Sequence, residues 1–110
     1  MPSDVDLVFD ARFLPNPYHV EELREFTGKD ERIKDYVMSF PETSILLDKI
    51  MDYLEFVIPE YIKEGRIQLI VGIGCTGGKH RSVVLAEEIT RKLQANGHRA
   101  KISHRDIGKE

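Results

Sequence analysis

The fold is decided by residues 69–84, LIVGIGCTGGKHRSVV, in which an apolar run gives way to a glycine-rich, basic segment and then to a helical pattern. We expect a buried strand, a tight loop and a helix in that order. Glycines let backbone N–H groups face a ligand, and the helix N-terminus adds the positive end of its dipole. Lys79, His80 and Arg81 add positive charge. The stretch predicts an anion-binding site at residues 75–82, here named the anion loop.

Every position of the anion loop is a candidate phosphate ligand. Consecutive backbone N–H groups and the planar fork of an arginine match the oxygens of a phosphate. Three adjacent basic side chains also repel one another unless an anion or an acid neutralises them. The candidate ligands are Cys75, Thr76, Gly77, Gly78, Lys79, His80, Arg81 and Ser82.

The same segment satisfies C-x5-R-[ST], the loop of cysteine-based phosphatases. In that chemistry the Cys75 thiolate attacks phosphorus, Arg81 holds the phosphoryl oxygens, and an acid protonates the leaving group. Asp10 and Asp106 are the candidate acids, but Gly74 stands where such phosphatases usually carry histidine. A cysteine phosphatase is therefore the alternative to a non-catalytic binding domain. A plain protein-interaction domain is a second alternative.

Two nucleotide-binding patterns overlap the loop and are incomplete. Residues 72–77 satisfy G-x-G-x-x-G, but a dinucleotide fold needs further strands and an acidic ribose partner, for which Asp106 is the candidate. The Walker A pattern fails at Ile73 and His80. We therefore expect neither nucleotide hydrolysis nor a cofactor in this chain.

Length and composition predict one domain over residues 1–110, since 41% hydrophobic residues suffice for one core. The sequence contains no apolar run of about 18 residues, and its first residues lack the pattern of a signal peptide, so a cytoplasmic location is expected. Cys75 is the single cysteine, so we expect no internal disulfide and no structural metal site.

Charge is unevenly distributed along the chain. Residues 1–78 carry 8 Lys and Arg against 15 Asp and Glu, whereas residues 79–110 carry 8 against 4. A basic C-terminal third is suited to phosphates or nucleic acid, although an ordinary solvated surface gives the same pattern.

The predicted elements before the loop are a strand, two short helices and one long helix. The strand covers residues 5–9 and extends to Leu14, and the first helix covers residues 18–26 with Gly28 as its stop. Asp30 is the predicted N-cap of a second helix that runs through residue 38.

The long helix is predicted over residues 41–64, where apolar residues recur at three- and four-residue spacing. Pro59 is expected to kink or split it and Gly65 to end it.

A strand at residues 67–73 leads to the loop, and Ser82 is the predicted cap of a last helix that ends at Asn96-Gly97. A short strand at residues 99–103 follows. This order predicts an α/β fold: a small three-layer domain with a short, mainly parallel sheet flanked by helices, and a strand–glycine-rich loop–helix anion site.

Several motifs resemble one family along nearly the whole chain: residues 8–18 (VFDARFLPNPY), Leu23-Arg24 with Thr27-Gly28, residues 73–83 (IGCTGGKHRSV) and the His104-Arg105-Asp106 triplet. The chain resembles the C-terminal domain of the RapZ/YvcJ family of bacterial RNase adapter proteins. Family members carry a preceding P-loop domain that would supply nucleotide hydrolysis, and this chain has no counterpart of it.

The resemblance implies a non-catalytic domain that senses glucosamine-6-phosphate and binds small regulatory RNA. It further implies a protein partner, such as an RNase or a regulator, and a homo-oligomer without membrane association. The implied sugar contacts are Asp10, Arg12, Asn16 and Tyr18. The implied RNA contacts are Lys79, His80, Arg99, Lys101, His104 and Arg105.

Two of the sugar contacts also have simpler interpretations. Arg12 is either a ligand arm or an ion-pair partner of Asp10, and Asn16 is either a ligand or a turn residue between two prolines. Tyr18 stands where some relatives carry histidine. RNA-binding relatives end in a strongly basic tail, whereas residues 107–110 (IGKE) have little net charge.

Overall fold

The computed structural model describes residues 6–66, 68–74 and 80–100. Two strands, β1 (Leu7–Asp10) and β2 (Val71–Gly74), pair in parallel. Asp10 lies beside Gly74, so both strands end at the same edge of the sheet. The predicted α/β class and the parallel pairing are confirmed.

Alternation along β1 gives the sheet a buried and an exposed face. The inward-facing side chains pack against one hydrophobic core, whereas Val8 on the opposite face is 56% exposed. Among the described residues, side chains of two helices, α2 (Pro41–Lys63) and α3 (Arg81–Ala95), pack against the inner face in that core. The strand side chains that pack against the core are Leu7, Phe9, Val71 and Ile73.

The long helix α2 (Pro41–Lys63) supplies most of that core. Pro41 lies in the first turn of α2. Backbone N–H groups have no partner within the helix there, so the N–H that proline lacks costs no hydrogen bond. Pro59 does not split α2, which continues to Lys63. Gly65, at a φ of +84°, ends the helix as predicted. Four apolar side chains of the helix are buried in the core: Leu47, Ile50, Leu54 and Val57.

The helix α1 (Glu31–Met38) begins as predicted, because the carboxylate of Asp30 accepts the backbone N–H of Arg32 at 2.9 Å. Its end is joined to the start of α2 by a buried hydrogen bond. The hydroxyl of Thr43 donates to the carbonyl of Val37 at 2.7 Å. This bond satisfies one of the carbonyls that every helix C-terminus leaves without a helical partner.

The helix predicted over residues 18–26 is wrong. The structure has two single turns of 3-10 helix, at Pro17–His19 and Glu21–Leu23. Val20 separates them in an extended conformation, with φ of −105° and ψ of 113°. Gly28 consequently ends no helix and lies buried in the turn before α1.

The last helix, α3, spans Arg81–Ala95. Ser82 is not its cap, because the carbonyl of His80 already accepts the N–H of Val84 at 3.0 Å and His80 is the N-cap residue. Its end is as predicted, with Gly97 at a φ of +91°.

The other predicted strands are shorter than expected or lie outside the described residues. Residues 68–70 form no regular structure before β2, and residue 67 lies outside the description. Residues 98–100 also form no regular structure, and residues 101–103 of the predicted last strand lie outside. None of the helices in the described ranges combines the length and apolarity of a membrane span.

The helices α1 and α3 are held together by a small core and a buried carboxylate. Ile33, Val37 and Val84 form the core. Next to it Glu88, only 5% exposed, forms ion pairs with Lys34 at 3.3 Å and Arg91 at 2.7 Å. Burial raises the pKa of Glu88, but the hydrogen bonds from Arg91 and Lys34 outweigh it, so the pKa lies below its ordinary value.

We predict that Glu88→Gln lowers the free energy of unfolding by about 1–2 kcal/mol at pH 7, because a buried charge-assisted pair is lost. Since the folded-state pKa is lowered, the contribution is complete above the ordinary pKa of a glutamate and disappears as the pH falls through the folded pKa. Urea unfolding at pH 7 and pH 3 measures the difference.

The matched control is Glu60→Gln, whose exposed pair with Lys63 spans 3.2 Å and contributes at most about 0.5 kcal/mol. A Glu88→Gln deficit of equal size at both pH values would contradict the assignment.

Candidate anion-binding site

The ends of the two parallel strands define the site. β1 ends at Asp10 and β2 at Gly74, and the N–H of Ala11 donates to the Gly74 carbonyl at 2.7 Å. The chain therefore leaves both strands at one edge, the usual position of ligand sites in parallel sheets. Gly74 and His80 are the described residues that flank the segment 75–79. Five predicted ligands lie outside the described residues: Cys75, Thr76, Gly77, Gly78 and Lys79.

Arg81 lies buried at this edge, with 4% of its surface exposed. Its Nη1 donates to the backbone carbonyls of Arg12 and, at 3.0 Å, of Leu14. These acceptors lie 69 and 67 residues away along the chain. The side chain therefore joins the first turn of α3 to the segment that follows β1.

A second nitrogen of the same guanidinium, Nε, is fully buried and has no hydrogen-bond partner in the part of the chain that the structure describes. A buried donor without an acceptor is costly, and such groups in folded proteins are usually satisfied. The Nε–H of Arg81 is therefore a position at which an acceptor oxygen would be stabilised.

Asp10 and Arg12 form an exposed ion pair. The Nε of Arg12 donates to the carboxylate at 3.0 Å and its Nη2 at 2.8 Å, while its backbone N–H donates at 2.9 Å. These hydrogen bonds hold the pKa of Asp10 below its ordinary value, and the charge of Arg81 lowers it further. Of the two interpretations of Arg12, the structure shows the ion pair. Both side chains are more than half exposed and remain accessible to a ligand.

Asn16 and Tyr18 differ in what they present to solvent. The side-chain oxygen of Asn16 accepts the N–H of Tyr18 at 3.1 Å and caps the first 3-10 turn, so the turn interpretation of Asn16 is observed. Tyr18 is 40% exposed. Arg24, which sequence reasoning missed, donates to the Tyr18 carbonyl at 2.9 Å and lies 5.0 Å from the ring centre. This contact orients the partly exposed ring of Tyr18 in the segment that follows β1.

The remaining loop residues sit at the start of α3. His80 is buried, and Ser82 is half-buried at the second position of the helix. In the described ranges no group of histidine, cysteine and carboxylate side chains has the geometry of a metal site.

A family model described as the RapZ C-terminal domain matches residues 1–108. The chain belongs to the RapZ C-terminal domain family. It is similar to proteins named nucleotide-binding protein: it is 57% identical to one from Clostridium kluyveri over 97% of this chain, and 57% identical to one from Agathobacter rectalis over 100% of it. A relative from Clostridium novyi is 54% identical over 100% of the chain.

The chain spans only 36–38% of the length of these relatives. Their name therefore describes proteins of which this family domain is the smaller part.

The described part of the chain does not bring the implied RNA contacts together at one place. Arg99 is exposed, but it follows the far end of α3, about 20 Å along the helix from Arg81. His80 is buried at the near end. The other four candidates, Lys79, Lys101, His104 and Arg105, lie outside the described residues.

We predict that Arg81→Ala lowers the free energy of unfolding by about 2–3 kcal/mol, because two carbonyls lose their donor in a buried environment. Arg24→Ala is the matched control: it also removes a donor to a backbone carbonyl, but at an exposed site, and we expect a loss below about 1 kcal/mol. Denaturant unfolding compares the two variants. Equal stability of Arg81→Ala and the parent would show that the bonds to Arg12 and Leu14 do not hold the segments together.

Proposed function

We propose that this domain is a non-catalytic sensor-adaptor that binds a phosphorylated amino sugar at the anion loop and engages small RNA through basic surface residues, of which Arg99, beyond the far end of α3, is the exposed candidate among the described residues. The observation that carries the proposal is the guanidinium of Arg81. It is buried at the carboxyl edge of the sheet, next to the N-terminus of α3, with a donor that has no partner in the described residues. An anion would supply that acceptor and benefit from the helix dipole.

The sugar end of the ligand is assigned to the accessible side chains that follow β1. The lowered pKa of Asp10 keeps its carboxylate ionised at neutral pH. An ionised carboxylate is the natural partner of the ammonium group of an amino sugar, while the Tyr18 ring offers an apolar face. Asp10 thus supports selection of glucosamine-6-phosphate over glucose-6-phosphate.

The state of Asp10 argues against one of the two candidate general acids of a phosphatase, the other being Asp106. A general acid must be protonated when the leaving group departs, and its pKa should lie near the working pH. Arg12 and Arg81 move the pKa of Asp10 in the opposite direction. The relatives are named nucleotide-binding protein. We place nucleotide binding in the larger part of those proteins, which this chain does not cover, and sugar-phosphate binding in this domain.

We predict that calorimetry detects binding of glucosamine-6-phosphate, weaker binding of glucose-6-phosphate and no binding of unphosphorylated glucosamine. Asp10→Asn should reduce the preference for the amino sugar by roughly tenfold while leaving affinity for glucose-6-phosphate nearly unchanged, because it removes the charge that pairs with the ammonium.

Arg12→Ala serves as the control, because it breaks the same ion pair but retains the carboxylate. If Arg12→Ala loses the preference for the amino sugar and Asp10→Asn keeps it, a residue other than Asp10 recognises the amino group. Absence of heat with every sugar phosphate would refute the metabolite-sensing proposal.

For RNA we predict binding that weakens steeply with salt, because released counterions drive it. Arg99→Ala should weaken binding of a fluorescent single-stranded RNA at low salt and reduce the salt slope by about one, whereas Lys49→Ala on the exposed face of α2 should change neither. Fluorescence anisotropy measures both. An RNA affinity that is insensitive to Arg99 would exclude that residue from the interface.

A further inference from the structure

The backbone at Gly28 lies closer to the start of α3 than the backbone of a residue with a side chain could. A Cβ atom at Gly28 would lie 2.6 Å from the carbonyl oxygen of His80 and 2.7 Å from the Cβ of Val83. Both distances are shorter than a van der Waals contact, and both atoms are fixed by the backbone. A methyl group at residue 28 therefore requires α3 or the turn that contains Gly28 to move.

The turn that carries Gly28 is itself held firmly. The carbonyl of Thr27 accepts the N–H of Asp30 at 2.9 Å, and the hydroxyl of Thr27 accepts the N–H of Lys29 at 3.3 Å. Asp30 then caps α1, whose buried side chains pack against α3. The turn is thus part of a packed unit.

The contacted atoms belong to the beginning of α3. The His80 carbonyl accepts the first helical hydrogen bond, from Val84 at 3.0 Å. His80 directly follows the segment 75–79 and precedes Arg81, whose side chain bonds to Arg12 and Leu14. Displacement of the His80 carbonyl would therefore move the first turn of α3 and the Arg81 guanidinium, at the point where the anion loop ends.

We propose that Gly28 is a positioning residue for the anion site: the absence of a side chain lets the turn at residues 27–30 set where the anion loop ends and α3 begins. The inference rests on the proposed function of the anion loop. Gly28 touches no ligand and acts through the backbone of His80 and the side chain of Val83.

The test compares Gly28→Ala with Gly97→Ala. Gly97 lies at the opposite end of α3 with a φ of +91°, and a Cβ there would meet no atom of the described residues within 4 Å, so alanine strains the backbone far from the start of α3. Calorimetry with glucosamine-6-phosphate and with inorganic phosphate gives the affinity. The labelling rate of the single cysteine, Cys75, by a thiol reagent reports on the loop without a ligand.

We expect Gly28→Ala to lose at least about tenfold in affinity for both anions and to change the labelling rate of Cys75, because charge-assisted bonds depend on accurate placement. Gly97→Ala should keep both values despite a lower melting temperature. Parental affinity and labelling in Gly28→Ala, or equal losses in both variants, would overturn the proposal. If the parent binds neither anion, the proposed function fails, and the labelling rates alone decide whether Gly28 positions the loop.

A second pair of variants decides the question if Gly28→Ala does not fold. Val83 and Val84 are adjacent and each 1% exposed, but Val83 faces Gly28 whereas Val84 packs in the core with α1. Val83→Ala should alter anion affinity and Cys75 labelling more than Val84→Ala does. Equal effects of the two valine variants would overturn the proposal.

Discussion

The buried guanidinium of Arg81 is the interaction on which the rest of the site depends. The two described strands, with four residues each, offer little surface of their own, and such short strands need packing against other elements. Arg81 supplies a connection that hydrophobic contacts do not, since it bonds the carbonyls of Arg12 and Leu14 directly to the first turn of α3. The same group carries the charge and the donor that an anion requires.

The neighbouring elements hold in place the helix that carries Arg81. α1 holds α3 from the side through a small apolar core and the buried Glu88, while the turn at residues 27–30 approaches the first residue of the helix. α2 supports the sheet from its inner face. Fixing α3 in this way keeps the buried charge of Arg81 in place without an ion pair among the described residues, although Asp10 lies close enough for its carboxylate to feel that charge.

The sequence predicted the features that depend on residues close together in the chain. It missed the contacts between residues that are far apart in the chain. Asp30, Gly65 and Gly97 act within one helical turn, so the limits that they set were predicted correctly. The helix at residues 18–26 was wrong because Val20 adopts an extended conformation that its neighbours do not dictate.

For the proposed site, the residue types indicated an anion as the ligand but not the geometry of the residues at the edge of the sheet. The charge pattern identified Arg81, whereas its bonds to Arg12 and Leu14 join residues more than 60 positions apart and leave no periodic signal. Gly28 was interpreted as a helix stop, because a glycine after a helical pattern has that meaning far more often than it marks a close approach. The resemblance of residues 73–83 to the RapZ family supplied what spacing alone did not, namely the class of ligand to test.

The measurement that tests the central role of Arg81 most directly is the ¹H–¹⁵N spectrum of the arginine Nε–H groups and backbone amides, recorded with and without glucosamine-6-phosphate. We expect the Arg81 Nε–H signal and the amides of residues 75–82 to shift together. Shifts confined to another surface, such as the groove between α2 and α3 that is lined by Asp48 and Arg91, would contradict that role. An unchanged Arg81 signal in a protein that binds the sugar phosphate would do the same.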